Sequence, residues 1–156
     1  LPHSILWLLA DNKLAQKNLS EYITRKNIEK NRIIFAKKLS RDKHLERLKL
    51  VDVALDTRIY NGHTTTIDAL QAGIPVVTKT GNHFASRVST SLLLSLGLDE
   101  LCCKDLISYK EKIIELCIND KSKKRVFEKL TAQNFEKIHN NKSFAESLEQ
   151  ALLGIL

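Results

Sequence analysis

Methionine is absent from the 156 residues, proline occurs twice and glycine five times. So little proline and glycine excludes a flexible linker or a low-complexity tract. Aromatic residues make up 6% of the chain, too few to interleave a basic surface as nucleic-acid modules do. Three cysteines are present, and two of them, Cys102 and Cys103, are neighbours. They show no metal-ligand spacing, and an odd count argues against a disulfide framework. With Cys117 they read as small apolar residues of a protein kept in a reducing cytoplasm. No apolar run approaches the roughly 20 residues of a membrane span. The run Ile5-Leu6-Trp7-Leu8-Leu9-Ala10 is too short for one and lacks the basic leader of a signal peptide. Neither a Gly-x-Gly-x-x-Gly turn nor a Walker-type loop occurs, which weighs against a dinucleotide oxidoreductase and a P-loop ATPase. The missing methionine, with Leu1-Pro2-His3 leading straight into a strand, reads as a piece cut from a longer chain.

What is present is ordinary in bulk and unusual in charge. Apolar residues at 43% and charged residues at 28% suit one soluble globular domain over 1–156. Lys plus Arg is 25 against 18 for Asp plus Glu, a net +7 with a pI near 9.4. Such a balance suits an anionic ligand, a nucleic acid or a membrane surface without choosing among them. The positive charges gather in 25–49 and 121–142. Solvated helix faces are the plainest account of both.

Strand and helix patterns alternate along the first half. Ser4–Ala10 reads as a buried strand. Ala15–Asn27 reads as a helix with Leu19, Tyr22 and Ile23 on one face. Arg32–Ala36 is a second strand. Ser40 is an N-cap candidate, followed by Leu45, Leu48 and Leu50 as apolar anchors. Val51–Asp56 is a third strand. Thr64–Ala72 is a helix closed by Gly73 at C′, and Pro75–Thr78 is a fourth strand. From Phe84 on the pattern turns helical: Ser86–Leu96, then about 106–118, 121–138 and 143–156. The alternation predicts an α/β fold, a Rossmann-like three-layer domain with one parallel sheet and a helical C-terminal tail. The apolar end Leu152-Leu153-Gly154-Ile155-Leu156 asks for a packing partner.

The most informative stretch is Asn61-Gly62-His63-Thr64-Thr65-Thr66-Ile67-Asp68. It places three threonine hydroxyls and a run of backbone N–H groups between a strand and a helix N-terminus. That is a site for an anion, a phosphate above all. Open α/β sheets bind their ligands at such turns. Asp68, one turn into the helix, either accepts from ribose hydroxyls or simply complements the helix N-terminus. Arg41, His44 and Arg47 recur at i, i+3 and i+6 along one helix face. They either hold a nucleotide, imidazole against base and guanidinium on oxygen, or form a solvated basic face. His83 and Arg87 flank the next turn, where Ser86 is a capping candidate.

Taken together, these segments resemble a known family. Trp7-Leu8-Leu9, Asn31–Phe35, His44 with Arg47, Asp52–Thr57, Asn61–Thr65 with Asp68, Gly73–Thr78, and Ala85–Val88 with Ser91 occur in the order and spacing of the C-terminal catalytic lobe of the protein O-linked N-acetylglucosamine transferases. That family includes bacterial relatives carrying tetratricopeptide repeats. The resemblance covers 1–109 well and the helical tail loosely.

The resemblance implies the donor-binding lobe of an inverting glycosyltransferase of GT-B architecture. It implies a UDP-sugar donor, UDP-N-acetylglucosamine first, with no cofactor and no metal ion. Thr64 and Thr65 would bind the phosphates, with His63 beside them. Asp68 would bind the ribose. His44 and Arg47 would line the uracil pocket, and Leu39 would offer its backbone to the uracil edge. Arg41 stands where the family usually has a lysine near the ribose. Thr66 replaces a glycine, a change that could stiffen the turn. A strand and helix bearing a diphosphate-contacting lysine are expected upstream of Leu1. The acceptor-side lobe, with its general base and its protein acceptor, is also expected outside this chain. No catalytic residue is therefore assigned here, and the isolated chain is expected to be inactive. The alternatives are a polyanion or nucleic-acid module, motivated by the charge alone, and a lobe that keeps the fold without transfer.

Overall fold

The computed structural model describes residues 1–10, 12–130, 138 and 140–155. The chain divides into two compact units, Leu1–His44 and Leu45–Leu156.

In the first unit, β1 (Leu6–Leu9) pairs in parallel with β2 (Ile33–Ala36), Leu6 opposite Ile33 and Leu9 opposite Ala36. Between them runs α1 (Lys13–Arg25). It starts two residues earlier than its apolar periodicity suggested, because the Asn12 side chain accepts the Leu14 N–H at 2.8 Å and so caps the first turn. It ends where Asn27 turns left-handed at φ 56°. The Ile28 N–H then closes onto the Ile23 carbonyl and the Asn27 N–H onto that of Thr24, a Schellman closure. The Arg32 guanidinium bonds the Leu1 carbonyl at 2.6 Å and the Ser4 carbonyl at 3.0 Å, which fixes the entry to β1. The expected burial of Ser4–Ala10 is corrected: Ile5, Leu6 and Leu9 are exposed. Two strands give each other an edge but little cover for their faces.

Helix α2 (Arg41–Leu48) straddles the division between the units. The Ser40 carbonyl accepts the His44 N–H at 2.9 Å, so Ser40 stands at the predicted N-cap position.

The second unit holds the main core. Strands β3 (Ala54–Leu55), β4 (Val76–Lys79) and β5 (Cys102–Cys103) form a parallel ladder with β4 in the middle. Among the described residues this part of the chain holds the α-helices α3 (Thr64–Gln71), α4 (Val88–Ser95), α5 (Leu106–Ile118), α6 (Asp120–Lys129) and α7 (Asn141–Leu153). Helices α3, α4 and α5 pack on β4. Leu70, Val76, Val77, Leu93, Leu98, Leu101, Leu116 and Val126 are buried together, each worth about 1.5–3 kcal/mol of transfer free energy. With both faces covered, β4 is buried at three successive residues, Val76, Val77 and Thr78, rather than at alternate ones. Gly73 at φ 79° ends α3. The Ile74 N–H reaches the Ala69 carbonyl at 2.9 Å and the Gly73 N–H that of Leu70 at 3.0 Å. This is the C′ glycine expected from the sequence.

Several expectations change. The single parallel sheet is met in direction only, because the ladders form two hydrogen-bonded sets, β1–β2 and β3–β4–β5. The Cys102-Cys103 pair, read only as small apolar residues, forms a strand: the Thr80 N–H donates to the Cys103 carbonyl at 2.9 Å. Burial, with the negative groups around it, pushes the Cys102 thiol up to about 11, so it stays protonated and poorly nucleophilic. Ser86 caps no long helix; it lies in a short 3-10 turn over Phe84–Ser86. The predicted helix over 121–138 is found as α6. Its remainder from 131 to 137, like Leu156, lies outside the described residues. No helix among the described residues is long and apolar enough to cross a membrane.

Candidate functional site

The chain leaves the carboxyl end of β3 at Asp56, and that residue organises the turn. Its Oδ1 accepts the Thr57 N–H at 3.0 Å and the Gly62 N–H at 2.7 Å. Its Oδ2 accepts the Thr78 hydroxyl at 2.6 Å. Its carbonyl accepts the Tyr109 hydroxyl of α5 at 2.9 Å. Burial, reinforced by the Asp56 charge, pushes the Tyr109 phenol up to about 12, so it remains a donor. One carboxylate thus ties both ends of the 56–62 loop and a neighbouring strand together. Hydrogen bonds to a charged acceptor carry about 1.5–3 kcal/mol each.

The rest of the turn is held from the other side. The Asn61 N–H donates to the Ala85 carbonyl at 2.7 Å, and the Asn61 side-chain amide donates to the Thr57 carbonyl at 3.1 Å. The buried Thr66 hydroxyl shares 2.9 Å contacts with the Gly62 carbonyl and the Ser89 hydroxyl. Ser89 in turn donates to the Gly62 carbonyl at 3.1 Å. Gly62 has no room for a side chain: a Cβ there would lie 2.5 Å from Thr65 Oγ1 and 2.7 Å from Thr66 Oγ1.

Helix α3 then opens with Thr64 and Thr65 exposed. His63 precedes it and makes no side-chain capping bond, so the first-turn N–H groups are left for something outside the helix. The His63 ring stacks on Tyr60, centroids 5.2 Å apart and planes 9° from parallel. It also meets Phe84 edge-on at 6.1 Å. Its Nε2 is buried without a hydrogen-bond partner among the described residues, as is Oδ1 of Asn61, a residue 1% exposed. Asp68 faces inward at 8% exposure.

The structure therefore brings His63, Thr64, Thr65 and Asp68 together on one turn and the helix it starts. Leu39, Arg41 and His44 belong to the first unit and Arg47 to the second. Leu39 and Arg41 are exposed, while His44 and Arg47 are half-buried. Sequence reasoning missed Asp56, Thr78, Ser89 and Tyr109 as supports of the turn. A polar residue closing a strand just before a ligand turn was the available signal at Asp56. Ser89 and Tyr109 gave none, since their partners lie 27 and 53 residues away.

The chain has counterparts among known proteins. The family model described as glycosyl transferase family 41 matches residues 1–148. The chain belongs to that family. Over 116 residues it is 38% identical to the UDP-N-acetylglucosamine–peptide N-acetylglucosaminyltransferase of Caenorhabditis elegans, which covers 74% of this chain and 10% of that protein. Over 120 residues it is 36% identical to the probable enzyme of that name, SEC, of Arabidopsis thaliana, covering 76% of this chain and 12% of that one. A solved mutant O-GlcNAc transferase of Thermobaculum terrenum superposes with a TM-score of 0.88 at 29% identity, over 97% of this chain and 30% of that one. The chain thus spans about a tenth of the length of these two curated family 41 relatives.

Proposed function

We propose that this chain is the donor-binding lobe of an inverting, metal-independent protein glycosyltransferase that takes a UDP-sugar. The names of the relatives favour UDP-N-acetylglucosamine. The observation that carries the reading is the braced turn from Asp56 to Thr66, which leaves two exposed hydroxyls and the α3 N–H groups for an anion.

In this reading the acceptor hydroxyl attacks the anomeric carbon, the bond to the diphosphate oxygen breaks, and UDP leaves. Thr64, Thr65 and the α3 amides stabilise the charge that develops on the diphosphate. They are fixed before the reaction and so cost no reorganisation during it. Asp68 is assigned the ribose. His44 and Arg47 are assigned the uracil, with Arg41 and the Leu39 backbone near it. These last assignments rest on the resemblance to the protein O-linked N-acetylglucosamine transferases.

Titration calorimetry of the chain with UDP tests the reading. UDP binds measurably, and Thr65→Ala loses about 1.5–3 kcal/mol of affinity for one hydroxyl bond to a charged phosphate, with an unchanged circular dichroism spectrum. No heat with millimolar UDP in a folded chain would overturn it in favour of a lobe that keeps only the fold.

A further inference from the structure

Beside the phosphate turn lies a feature that the nucleotide reading leaves unused. A cavity of about 240 Å³ opens between Arg58 and Ile59 on one side and the loop from Lys79 to Ser86 on the other. Arg58, Lys79, Asn82 and His83 line it, and no carboxylate does. No hydrogen bond or ion pair among the described residues engages the Arg58 guanidinium. Lys79 Nζ donates to the Thr80 carbonyl at 3.2 Å, which leaves further N–H donors, since an ammonium has three. Cations that share a concave wall without a counter-ion raise the potential there, and an anion relieves it.

A second observation says what kind of anion. The rim of this cavity continues into large apolar side chains that the described residues leave exposed. Ile59 is 61%, Tyr60 65% and Phe84 80% exposed, and His63 links the two rings by the stacked and edge-on contacts described above. Ile59 sits at φ 79°, a conformation β-branched residues rarely adopt. Strain of this sort persists where the surroundings enforce it, and it gathers at sites that hold ligands. A free inorganic ion would use the cations alone. An exposed apolar strip bordering them fits a polypeptide, which brings apolar contacts and charge together.

We propose that this surface receives the polypeptide acceptor, with an acidic side chain seated between Arg58 and Lys79 and the adjoining residues lying over Ile59, Tyr60 and Phe84. The proposal rests on the reading of the chain as part of a protein glycosyltransferase, adds this surface to the acceptor contacts expected from the lobe outside this chain, and names the chemistry of the acceptor: a hydroxyl residue with an aspartate or glutamate close by in sequence.

The test uses the whole chain and two labelled probes at low ionic strength, a short serine peptide carrying two aspartates and its counterpart with asparagines. Fluorescence anisotropy reads the affinity, and amide chemical shifts read the place. The aspartate peptide binds about ten-fold tighter or better and shifts the amides of Gly81, Asn82 and Ser86. The double variant Arg58→Gln/Lys79→Gln loses that preference. The double variant Lys121→Gln/Lys124→Gln removes the same charge from α6 and keeps it. Equal binding of the two peptides overturns the proposal, and so does an equal loss in the α6 variant, which would make the effect one of net charge. Calorimetry with UDP on Arg58→Gln/Lys79→Gln keeps the two readings apart: retained heat with lost peptide preference supports the acceptor surface, and retained heat with no preference in the parent chain overturns this proposal alone.

Discussion

Asp56 Oδ1 lies 2.7 Å from the backbone nitrogen of Gly62, six residues further along the chain. This bond closes the loop that precedes α3, and the other oxygen of the same carboxylate takes the Thr78 hydroxyl. The turn is therefore shaped by a side chain that is not itself one of its proposed ligand groups.

Replacing that carboxylate separates support from contact. Asp56→Ala removes the acceptor of three bonds and loses more stability than the roughly 1.5–3 kcal/mol of one bond to a charged acceptor. It also weakens UDP, because the α3 amides are no longer held in place. Asp56→Asn keeps one acceptor oxygen and falls between alanine and the parent chain. Urea unfolding and UDP calorimetry on the same samples check both effects. Unchanged UDP affinity in a destabilised Asp56→Ala would mean that the carboxylate braces the fold and not the site.

Gly62→Ala attacks the turn by sterics. The new methyl meets two threonine hydroxyls at less than 3 Å, and both belong to side chains in the first turn of α3. Either they swing away or the backbone shifts, so UDP binding falls more than stability does. A thermal melt beside a UDP titration gives the comparison. A loss of stability with no loss of binding would overturn it.

Thr66→Val keeps the shape and removes the hydroxyl. Thr66 is buried, and its Oγ1 contacts the Gly62 carbonyl and the Ser89 hydroxyl. The Gly62 carbonyl retains Ser89 as a donor, so the expected cost is that of one buried hydrogen bond, about 0.5–1.5 kcal/mol. Thr66→Val with Ser89→Ala strips both donors and costs more than the sum of the singles, because the carbonyl is then orphaned. A double-mutant cycle in urea measures the difference.

Glu100 supplies a pH dependence. Burial raises its carboxyl, but the Lys129 ammonium bonded at 2.9 Å and 3.1 Å, with Arg125 at 3.2 Å, outweighs this, and the sum lies below the ordinary value of 4.5. A carboxylate depressed on folding binds fewer protons folded than unfolded. Its stabilisation is thus present above 4.5 and is lost as the pH falls through the folded value. Glu100→Gln destabilises the chain at neutral pH by about 0.5–1 kcal/mol, a figure for partly exposed ion pairs. The gap to the parent closes in acid. Urea midpoints from pH 7 to pH 3 follow it, and a gap that stays constant would overturn the assignment.

The parts of the fold that obey local rules were legible. The C′ position of Gly73 follows from a helical pattern running into a glycine, and β2 and β4 from β-branched runs. Strand β5 was not, because two residues show no periodicity, and only the partner β4 makes Cys102-Cys103 extended. Burial of β1 was misjudged for a related reason: apolar composition gives the capacity to be covered, while cover comes from neighbours. At the candidate site, the placement of Thr64 and Thr65 at a helix start was legible, because the strand, turn and helix pattern around them is local. Thr66 was read as a stiffening departure from glycine, and its bonds to Gly62 and Ser89 give that stiffness a mechanism. The partnership of Asp56 with Gly62 was hidden, since a residue at a strand end can face several ways and tertiary contacts choose among them.

The bond from the Tyr109 hydroxyl to the Asp56 carbonyl crosses 53 residues of sequence. It fastens the first turn of α5 to the loop that opens α3. The two segments are therefore expected to open together in the native state, more than a surface loop without such a tie would. Amide hydrogen exchange would slow in both segments together when the turn is occupied, so a distant helix becomes a reporter of ligand at Thr64 and Thr65.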